Sequence, residues 1–100
     1  MQKGIEQLQE AVHVNPQYFK AWYNLGASFY ENQEYQKSID GYQRASKIDN
    51  NDDNVYYGIA ASQYVLENPM AAKLNCQKAL EINPSNSNAK SLLARINEGR

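Results

Sequence analysis

Apolar side chains recur along the chain at the spacing of one helix face. In residues 21–30, AWYNLGASFY, the positions i, i+3, i+4 and i+7 hold Trp22, Leu25, Gly26 and Phe29. Because successive helical residues turn by about 100°, these four side chains share one side of a helix. The strict alternation of polar and apolar residues that marks a half-buried strand does not occur. The pattern therefore predicts an all-α protein.

Clusters of Asn, Asp and Pro divide the chain into short segments. They lie at residues 14–17, 48–52 and 82–86, with shorter breaks at 31–34 and 67–69. These residues favour turns because their side chains bond nearby backbone or because proline fixes φ. At the last break, Asn68 suits an N-cap and Pro69 the first helical position. We expect six helices, at 2–14, 18–31, 35–48, 53–66, 69–82 and 87–98.

The sequence repeats itself at a fixed shift, which places Ala11 on Ala45 and Ala45 on Ala79. Other columns of similar residues at the same shift are Gly4/Ser38/Ala72 and Leu25/Ile59/Leu93. Since each period contains two predicted helices, the repeating unit is a helix pair. A period of about 34 residues is typical of stacked helical repeats.

The repeat unit resembles the tetratricopeptide repeat, whose signature begins W-x2-L-G-x2-Y. In the first copy the signature positions are Trp22, Leu25, Gly26, Phe29, Ser38, Tyr42 and Ala45, with Asn50 in the usual place of proline. In the second they are Tyr56, Ile59, Ala60, Gln63, Ala72, Cys76, Ala79 and Pro84. The second copy departs from the family at Gln63 and Cys76, which replace aromatic residues, and at Glu67, where the family prefers glycine.

This resemblance implies antiparallel helix pairs stacked as a right-handed superhelix, an α-solenoid of about six helices. We expect one domain over 1–100, with an outer helix of a partial repeat at 2–14 and full repeats at 19–52 and 53–86. A closing helix follows at 87–98. The missing partner helices suggest a segment of a longer array. Lys90 stands in the Trp22/Tyr56 column, and a polar closing helix is typical of an array that ends near Arg100.

Each first helix of a repeat carries two stripes. The stripe of Trp22 and Phe29 is expected to be core, packed on Ile39, Tyr42 and Ala45. By resemblance, the second stripe faces a concave groove that binds a peptide, where tyrosines offer flat rings and hydroxyls. Alternatively, each tyrosine ring only packs on the neighbouring inner helix. The predicted groove residues are Lys20, Tyr23, Asn24, Ala27, Tyr30, Asn54, Tyr57, Gly58, Ala61, Tyr64, Ser91 and Arg95.

Some members of the family clamp the C-terminal carboxylate of a chaperone with Lys, Asn and Arg side chains. In this sequence the clamp positions hold Tyr23, Ala27, Gly58, Asn88 and Leu92. A carboxylate needs charged donors to offset its loss of water. We therefore expect a peptide-binding module that is not a carboxylate clamp.

Composition excludes several classes of function. The net charge is −1, so the chain lacks the basic surface that nucleic-acid binding requires. The longest apolar runs are far shorter than a membrane span, and no membrane insertion is expected. The single cysteine favours a reducing compartment, which suggests a cytoplasmic protein.

Candidate catalytic and metal-binding residues are few. His13 is the only histidine, and Cys76 occupies a core column, so neither is expected to act in catalysis. The run DNNDDN at 49–54 lacks the glycine and terminal glutamate of an EF-hand loop and is better explained as a turn. We expect no enzyme activity, no metal and no cofactor.

Two other functions compete with peptide binding. The chain could be a structural spacer within a longer array. It could also self-associate, because helix 2–14 has no preceding inner helix to cover Ile5, Leu8 and Val12, and exposed apolar stripes drive pairing. A homodimer through the terminal helices is the form we expect for this alternative.

Overall fold

Six helices make up the computed structural model, which describes residues 2–99. They are α1 (Gln2–Val14), α2 (Phe19–Glu31), α3 (Tyr35–Ile48), α4 (Asp53–Val65), α5 (Pro69–Ile82) and α6 (Ser87–Asn97). Residues 2–99 contain no strand, and the predicted helix ends are correct to within one residue. Consecutive helices pack on each other, and α4 also contacts α2 and α6. The molecule is elongated, at 42 × 25 × 18 Å, as a stack of helices should be.

Short polar side chains begin two of the helices. Asp52 Oδ1 accepts a hydrogen bond from the backbone N–H of Asn54 at 2.9 Å, and Asn86 Oδ1 accepts one from Ala89 at 2.9 Å. Each of these bonds satisfies a backbone donor that the first turn leaves free. Asn68 precedes Pro69 as predicted, but its side chain makes no capping bond. The run DNNDDN thus forms a turn at residues 50–51, as predicted, followed by the N-cap of α4 at Asp52.

The turns inside both helix pairs have the same backbone geometry. Gln33 and Glu67, which occupy the same position in successive repeats, have φ values of +63° and +61°. In the first turn, the N–H of Glu34 donates to Phe29 O at 2.8 Å and that of Gln33 to Tyr30 O at 2.9 Å. Equivalent bonds close the second turn. This is the Schellman arrangement, in which glycine usually takes the left-handed position. Both copies place a long side chain there instead.

The first helix pair is joined by an unusually close backbone contact. A Cβ added at Gly41 would lie 3.0 Å from the backbone nitrogen of Gly26. Beside this contact, Ser38 Oγ donates to Gly26 O at 2.6 Å, and Ser62 Oγ of α4 donates to Ser38 Oγ at 3.2 Å. Both serines are fully buried. Small residues thus let α2 and α3 approach closely, and the hydroxyls satisfy the polar groups that this approach buries.

The core lies between successive helices rather than at one centre. Ala45, Val55 and Ile59 are buried between α3 and α4. Phe29 is buried, but it packs in the cluster with Ile5 and Val12 of α1 and not, as expected, on Ile39, Tyr42 and Ala45. Trp22 is only partly buried. The indole N–H of Trp22 donates to Pro16 O at 2.8 Å. The amphipathic ring therefore packs on the core with one face. Its polar edge holds the α1–α2 connection in place through this hydrogen bond.

The expectation that α1 exposes an apolar stripe is wrong. Ile5 is only 1% exposed, Val12 is buried and Leu8 is partly buried. These three side chains pack on Ala21, Leu25 and Phe29 of α2. The α2 helix alone covers the stripe, because its surface toward α1 is as apolar as its surface toward α3. The terminal helix consequently gives no reason to expect a homodimer.

A carboxylate ties α4 to the turn before α6. Asp53 Oδ2 accepts hydrogen bonds from Asn83 Nδ2 at 3.0 Å and Asn86 Nδ2 at 2.7 Å. Partial burial tends to raise the pKa of Asp53, but these bonds outweigh it and hold the pKa below its usual value. The contact links residues 30 and 33 positions apart in sequence and so fixes the start of α6 against the second helix pair.

Cys76 and His13 lie where the sequence pattern predicts. Cys76 is fully buried, and this burial raises the pKa of its thiol to about 11. A thiol of that kind is a poor nucleophile at neutral pH. His13 is exposed in the last turn of α1. No helix of residues 2–99 combines the length and the hydropathy that a bilayer crossing requires.

Substituting Gln33 or Glu67 by glycine should stabilise the protein. Both side chains are exposed, and a non-glycine residue pays about 1 kcal/mol or more in the left-handed region. Glycine loses more backbone entropy on folding, so we expect a net gain in unfolding free energy of about 0.5–1 kcal/mol for Gln33→Gly. Urea denaturation of each variant measures this gain.

The matched control is Gln43→Gly, at an exposed position inside α3. There the substitution should lower the unfolding free energy by about 1 kcal/mol. Equal destabilisation at positions 33 and 43 would contradict the assignment of backbone strain to the turn.

Candidate functional site

Side chains from four helices line a hollow of about 200 Å³ on the face formed by α2, α4 and α6. We call it the tyrosine hollow, and its lining residues are Tyr23, Tyr30, Tyr42, Asn54, Tyr57, Gly58, Ala61 and Asn88. Six of these eight belong to the groove predicted from the sequence. The rings of Tyr23 and Tyr57 lie on the same side of the molecule, as the repeat register requires.

The other predicted groove residues lie around the tyrosine hollow. Lys20 and Asn24 line an adjoining depression that shares Tyr23 with it. Ala27 packs partly buried on the core. Tyr64 borders a separate hollow at the end of α6, together with Val65 and Ile96. Ser91 and Arg95 are exposed on α6 and do not line the tyrosine hollow.

Tyr42 is the residue that the sequence pattern assigns only to the core. It comes from α3, the outer helix of its pair, and reaches the hollow between two glycines. A Cβ added at Gly26 would lie 2.7 Å from Tyr42 Cγ, and one added at Gly58 would lie 2.5 Å from Tyr42 Cζ. The ring therefore passes between α2 and α4 with its base on Gly26 and its tip on Gly58. The glycines at positions 26 and 58 are the sequence signal that could have revealed this path.

Asn88 is the second residue that the predicted groove omits. It stands one repeat after Asn54, which in turn stands one repeat after Lys20. All three are exposed in the first turns of α6, α4 and α2. Extending the column by one more repeat would have identified Asn88.

The aromatic rings form walls at steep angles. The ring centroids of Tyr23 and Tyr42 are 5.5 Å apart, with the ring planes at 80°. Phe19 supports Tyr23 from outside the hollow at 6.1 Å, and Tyr35 supports Tyr30 edge-on at 5.4 Å. The Tyr23–Tyr42 and Tyr30–Tyr35 pairs are edge-to-face, whereas Phe19 is tilted by 32° to Tyr23. Such contacts are favourable and restrict the rings. The hollow is accordingly bordered by rings whose positions are fixed before anything binds.

The phenols of Tyr23, Tyr42 and Tyr57 stay protonated at neutral pH. Burial raises the pKa of Tyr42, and the neighbouring phenols and Glu31 raise it further. Burial also raises the pKa of Tyr57 and of Tyr23, and the carboxylates of Asp52 and Asp53 add to the rise at Tyr23. Each hydroxyl can therefore both donate and accept a hydrogen bond.

The hydroxyls in the tyrosine hollow have no partner within residues 2–99. The side-chain hydrogen bonds of this part of the chain include none from the hydroxyls of Tyr23, Tyr30, Tyr42 or Tyr57. By contrast, Tyr56, which faces the core, donates to Asn50 O at 3.2 Å. Metal binding has no comparable basis, because residues 2–99 hold no group of three His, Cys, Asp or Glu side chains close enough to bind an ion.

Residues 19–52 match the family model described as tetratricopeptide repeat. A curated protein of Mycosarcoma maydis, the small glutamine-rich tetratricopeptide repeat-containing protein 2, is 25% identical over 72 residues. That alignment covers 72% of this chain and 20% of the relative. This chain thus spans about a fifth of the length of the curated relative.

Solved structures share the fold. The first tetratricopeptide repeat of Spaghetti (RPAP3), bound to the HSP90 peptide SRMEEVD, superposes with a TM-score of 0.91 at 17% identity, over 95% of this chain and 75% of that one. The tetratricopeptide-repeat domain of Arabidopsis OM64 has a TM-score of 0.91 at 22% identity, over 96% of this chain and 79% of that one. The Cut9–Hcn1 heterotetramer of the APC/C has a TM-score of 0.90 at 27% identity, over 96% of this chain and 20% of the matched chain.

Residues 19–52 are a tetratricopeptide repeat, and the chain as a whole shares the fold of tetratricopeptide-repeat proteins. Its fold is an all-α helical-repeat solenoid, as the repeat period predicts. Proteins of this family are generally protein-interaction scaffolds.

Replacing Gly58 by alanine should destabilise the protein although alanine favours helix. The new Cβ would meet Tyr42 Cζ and Cε2 at 2.5 Å, and the ring is held at its base by Gly26. Overpacking of this kind costs about 1–3 kcal/mol. Thermal or urea unfolding of Gly58→Ala measures the loss.

Gly4→Ala is the control, because a Cβ at Gly4 meets nothing within 4 Å. It should be neutral or stabilise α1 by up to about 1 kcal/mol. In a Tyr42→Ala background, the cost of Gly58→Ala should disappear. A cost that persists without the Tyr42 ring would contradict the packing described here.

Proposed function

We propose that this tetratricopeptide-repeat chain binds an extended or helical segment of a partner protein across the tyrosine hollow and the adjoining surfaces of α2, α4 and α6. The observation that carries the proposal is the convergence of four phenol hydroxyls, none with a partner among residues 2–99, in one preformed hollow. These hydroxyls are open to the hollow, because no fully buried side-chain polar atom of residues 2–99 lacks a hydrogen-bond partner. A bound peptide would supply these partners through its carbonyl and amide groups.

The shape of the hollow supports a peptide ligand. Gly58 and Ala61 have little or no side chain and so leave the hollow deep between Tyr30 and Tyr57. Tyrosine contributes a large contact area at a small entropy cost because it has only two rotatable bonds. A side chain of the partner could therefore enter the hollow while its backbone bonds to the hydroxyls at the rim.

The ligand segment is proposed to be internal to the partner rather than a free C-terminus. The solved RPAP3 repeat carries the HSP90 peptide SRMEEVD, and its fold is similar to that of this chain. At the clamp positions, however, this chain has Tyr23, Ala27, Gly58, Asn88 and Leu92. Gly58 and Leu92 are buried, and none of the five is charged. A carboxylate placed there would lose water without gaining a cation.

The module is proposed to act without catalysis. His13 is exposed on α1 and Cys76 is buried in α5, so they do not form a nucleophile and base pair. The carboxylate of Asp53, close to the hollow, is engaged by Asn83 and Asn86. Binding is therefore the role that these side chains support best.

Removing the hydroxyls of Tyr23 and Tyr57 should weaken peptide binding without harming the fold. Peptides are first selected against the wild-type chain from a library of random sequences displayed without a free C-terminus. For Tyr23→Phe and Tyr57→Phe, we expect each lost hydrogen bond to cost about 1 kcal/mol, or roughly fivefold in affinity. Calorimetric titration with a selected peptide measures the change.

Two controls separate the hollow from the rest of the surface. Tyr18→Phe removes an exposed hydroxyl outside the hollow and should leave affinity unchanged. Asn88→Trp should fill the hollow and abolish binding, whereas Gln77→Trp, at an exposed position of α5, should not. If no peptide is selected, or if Asn88→Trp binds like the wild type, the hollow is not the binding site and the role of a structural spacer is favoured.

Self-association through an outer patch is a second candidate function. We define the outer patch as Val65, Leu66, Met70 and Leu74, of which Met70 is 75% and Leu74 67% exposed. The equivalent residues one repeat earlier are Glu31, Asn32, Gln36 and Asp40, all exposed. These first-repeat positions stay exposed although a full repeat is stacked after them. Packing between repeats therefore does not explain why the second repeat has apolar residues there. With a net charge of −1, two copies would not repel each other strongly.

Replacing two residues of the outer patch by their equivalents in the first repeat should abolish self-association of the chain. The variant Met70→Gln/Leu74→Asp carries the residues found at positions 36 and 40. We expect the wild-type mass in sedimentation equilibrium to rise with concentration and the variant to stay at 11.4 kDa. Val14→Gln, which removes an exposed apolar residue elsewhere, should associate like the wild type. A wild-type chain that remains monomeric at high concentration would rule out this function.

A further inference from the structure

We propose that the tyrosine hollow selects a cationic side chain, lysine or arginine, in the segment that it binds. This inference rests on the proposed function and specifies the chemistry of the ligand at the same site. It is carried by the uncovered aromatic rings of the hollow, by the carboxylates beside them and by the lack of a lysine or arginine among the residues of 2–99 that line it.

Three aromatic rings outside the hollow are covered by cations of this chain. The pairs are Arg44 over Trp22 at 5.0 Å, Lys78 over Tyr56 at 5.0 Å and Lys37 over Phe29 at 5.8 Å. A cation within about 6 Å of a ring centroid is attracted by the negative face of the ring. In the described part of the chain, no Lys or Arg lies over Tyr23, Tyr30, Tyr42 or Tyr57. The rings of the hollow are therefore open to a cation from outside.

The geometry of the hollow suits one long, flat or slender cationic group. The ring of Tyr42 is packed between Gly26 and Gly58 and touches Tyr23 edge-on, with 5.5 Å between the ring centroids. A guanidinium or ammonium group would therefore lie on the half-buried rings of Tyr23, Tyr30 or Tyr57. The volume of about 200 Å³ is below that of a drug-sized pocket and fits one side chain. Gly58 and Ala61 leave room for the aliphatic stem.

Carboxylates add attraction at the Tyr23 end. Asp52 lines the adjoining depression together with Tyr23, and Asp53 is close enough for its charge to act on the same phenol. Lys20 borders this depression too, and Arg95 acts on Tyr57 at the other end. Neither cation lines the tyrosine hollow itself. A ligand cation placed against the ring of Tyr23 would therefore lie next to Asp52 and away from Arg95.

A matched pair of peptides tests the inference. Among peptides selected against the wild-type chain, we expect lysine or arginine to be enriched at one position. Replacing that arginine by citrulline, or that lysine by Nε-acetyl-lysine, removes the charge and keeps the shape. We expect affinity to fall about fivefold or more, the amount typical of a cation on partly desolvated aromatic rings. Calorimetry with each peptide of the pair gives the ratio.

The variant Asp52→Ser tests the contribution of the carboxylate. Serine also caps a helix well, so α4 should keep its start, which circular dichroism and thermal unfolding verify. The charged peptide should bind the variant about twofold to threefold more weakly than the wild type, a loss typical of a partly exposed ion pair. The neutral peptide should bind both proteins equally.

The outcomes distinguish this inference from the proposed function. If charged and neutral peptides bind alike while Asn88→Trp still abolishes binding, the hollow binds peptides but does not select a cation, and the inference is overturned alone. If selection enriches aspartate, glutamate or apolar residues instead, it is overturned in the same way. If no selected peptide responds to Asn88→Trp, both the proposed function and the inference fail.

Discussion

The ring of Tyr42, which is packed between Gly26 and Gly58, determines how α2, α3 and α4 fit together. The ring is almost fully buried, and both glycines lie so close that a methyl group at either would overlap it. Gly41 brings α3 equally close to Gly26 from the same side. Interiors pack at crystal-like density, so this spacing leaves little freedom to shift α2 against α4. The position of the tyrosine hollow, and of the hydroxyl at its floor, follows from this single insertion.

The equivalent contact in the second repeat has a small central residue and larger neighbours. Cys76 stands where Tyr42 stands in the first copy, and Ala60 and Leu92 stand where the glycines stand. All three are buried in one cluster. A small central residue with larger neighbours fills the space that a large ring with glycine neighbours fills one repeat earlier, as volume-conserving exchange allows. Because cysteine is short and apolar, the second junction has no phenol at its floor, and it does not repeat the polar hollow of the first.

The repeat period was enough to predict the fold and to place six of the eight residues that line the tyrosine hollow on one face. Helix ends followed from Asn, Asp and Pro clusters, and the alignment of Tyr23 with Tyr57 followed from the register. Two things could not be predicted from the pattern of one helix at a time. The ring of Tyr42 crosses to the far side of the stack because of glycines on two other helices, and the apolar stripe of α1 is covered because α2 is apolar on two sides. Both depend on contacts between elements rather than on periodicity within one.

Tyr42 has two roles that most binding surfaces keep apart, since its ring belongs to the core and its hydroxyl belongs to the hollow. Any molecule that engages this hydroxyl acts on a residue that holds three helices together. By mass action, occupancy of the hollow would then be coupled to the local opening of α2, α3 and α4, and slow amide exchange in these helices would report it. A ligand that engages this hydroxyl would in this way stiffen the middle of the helix stack.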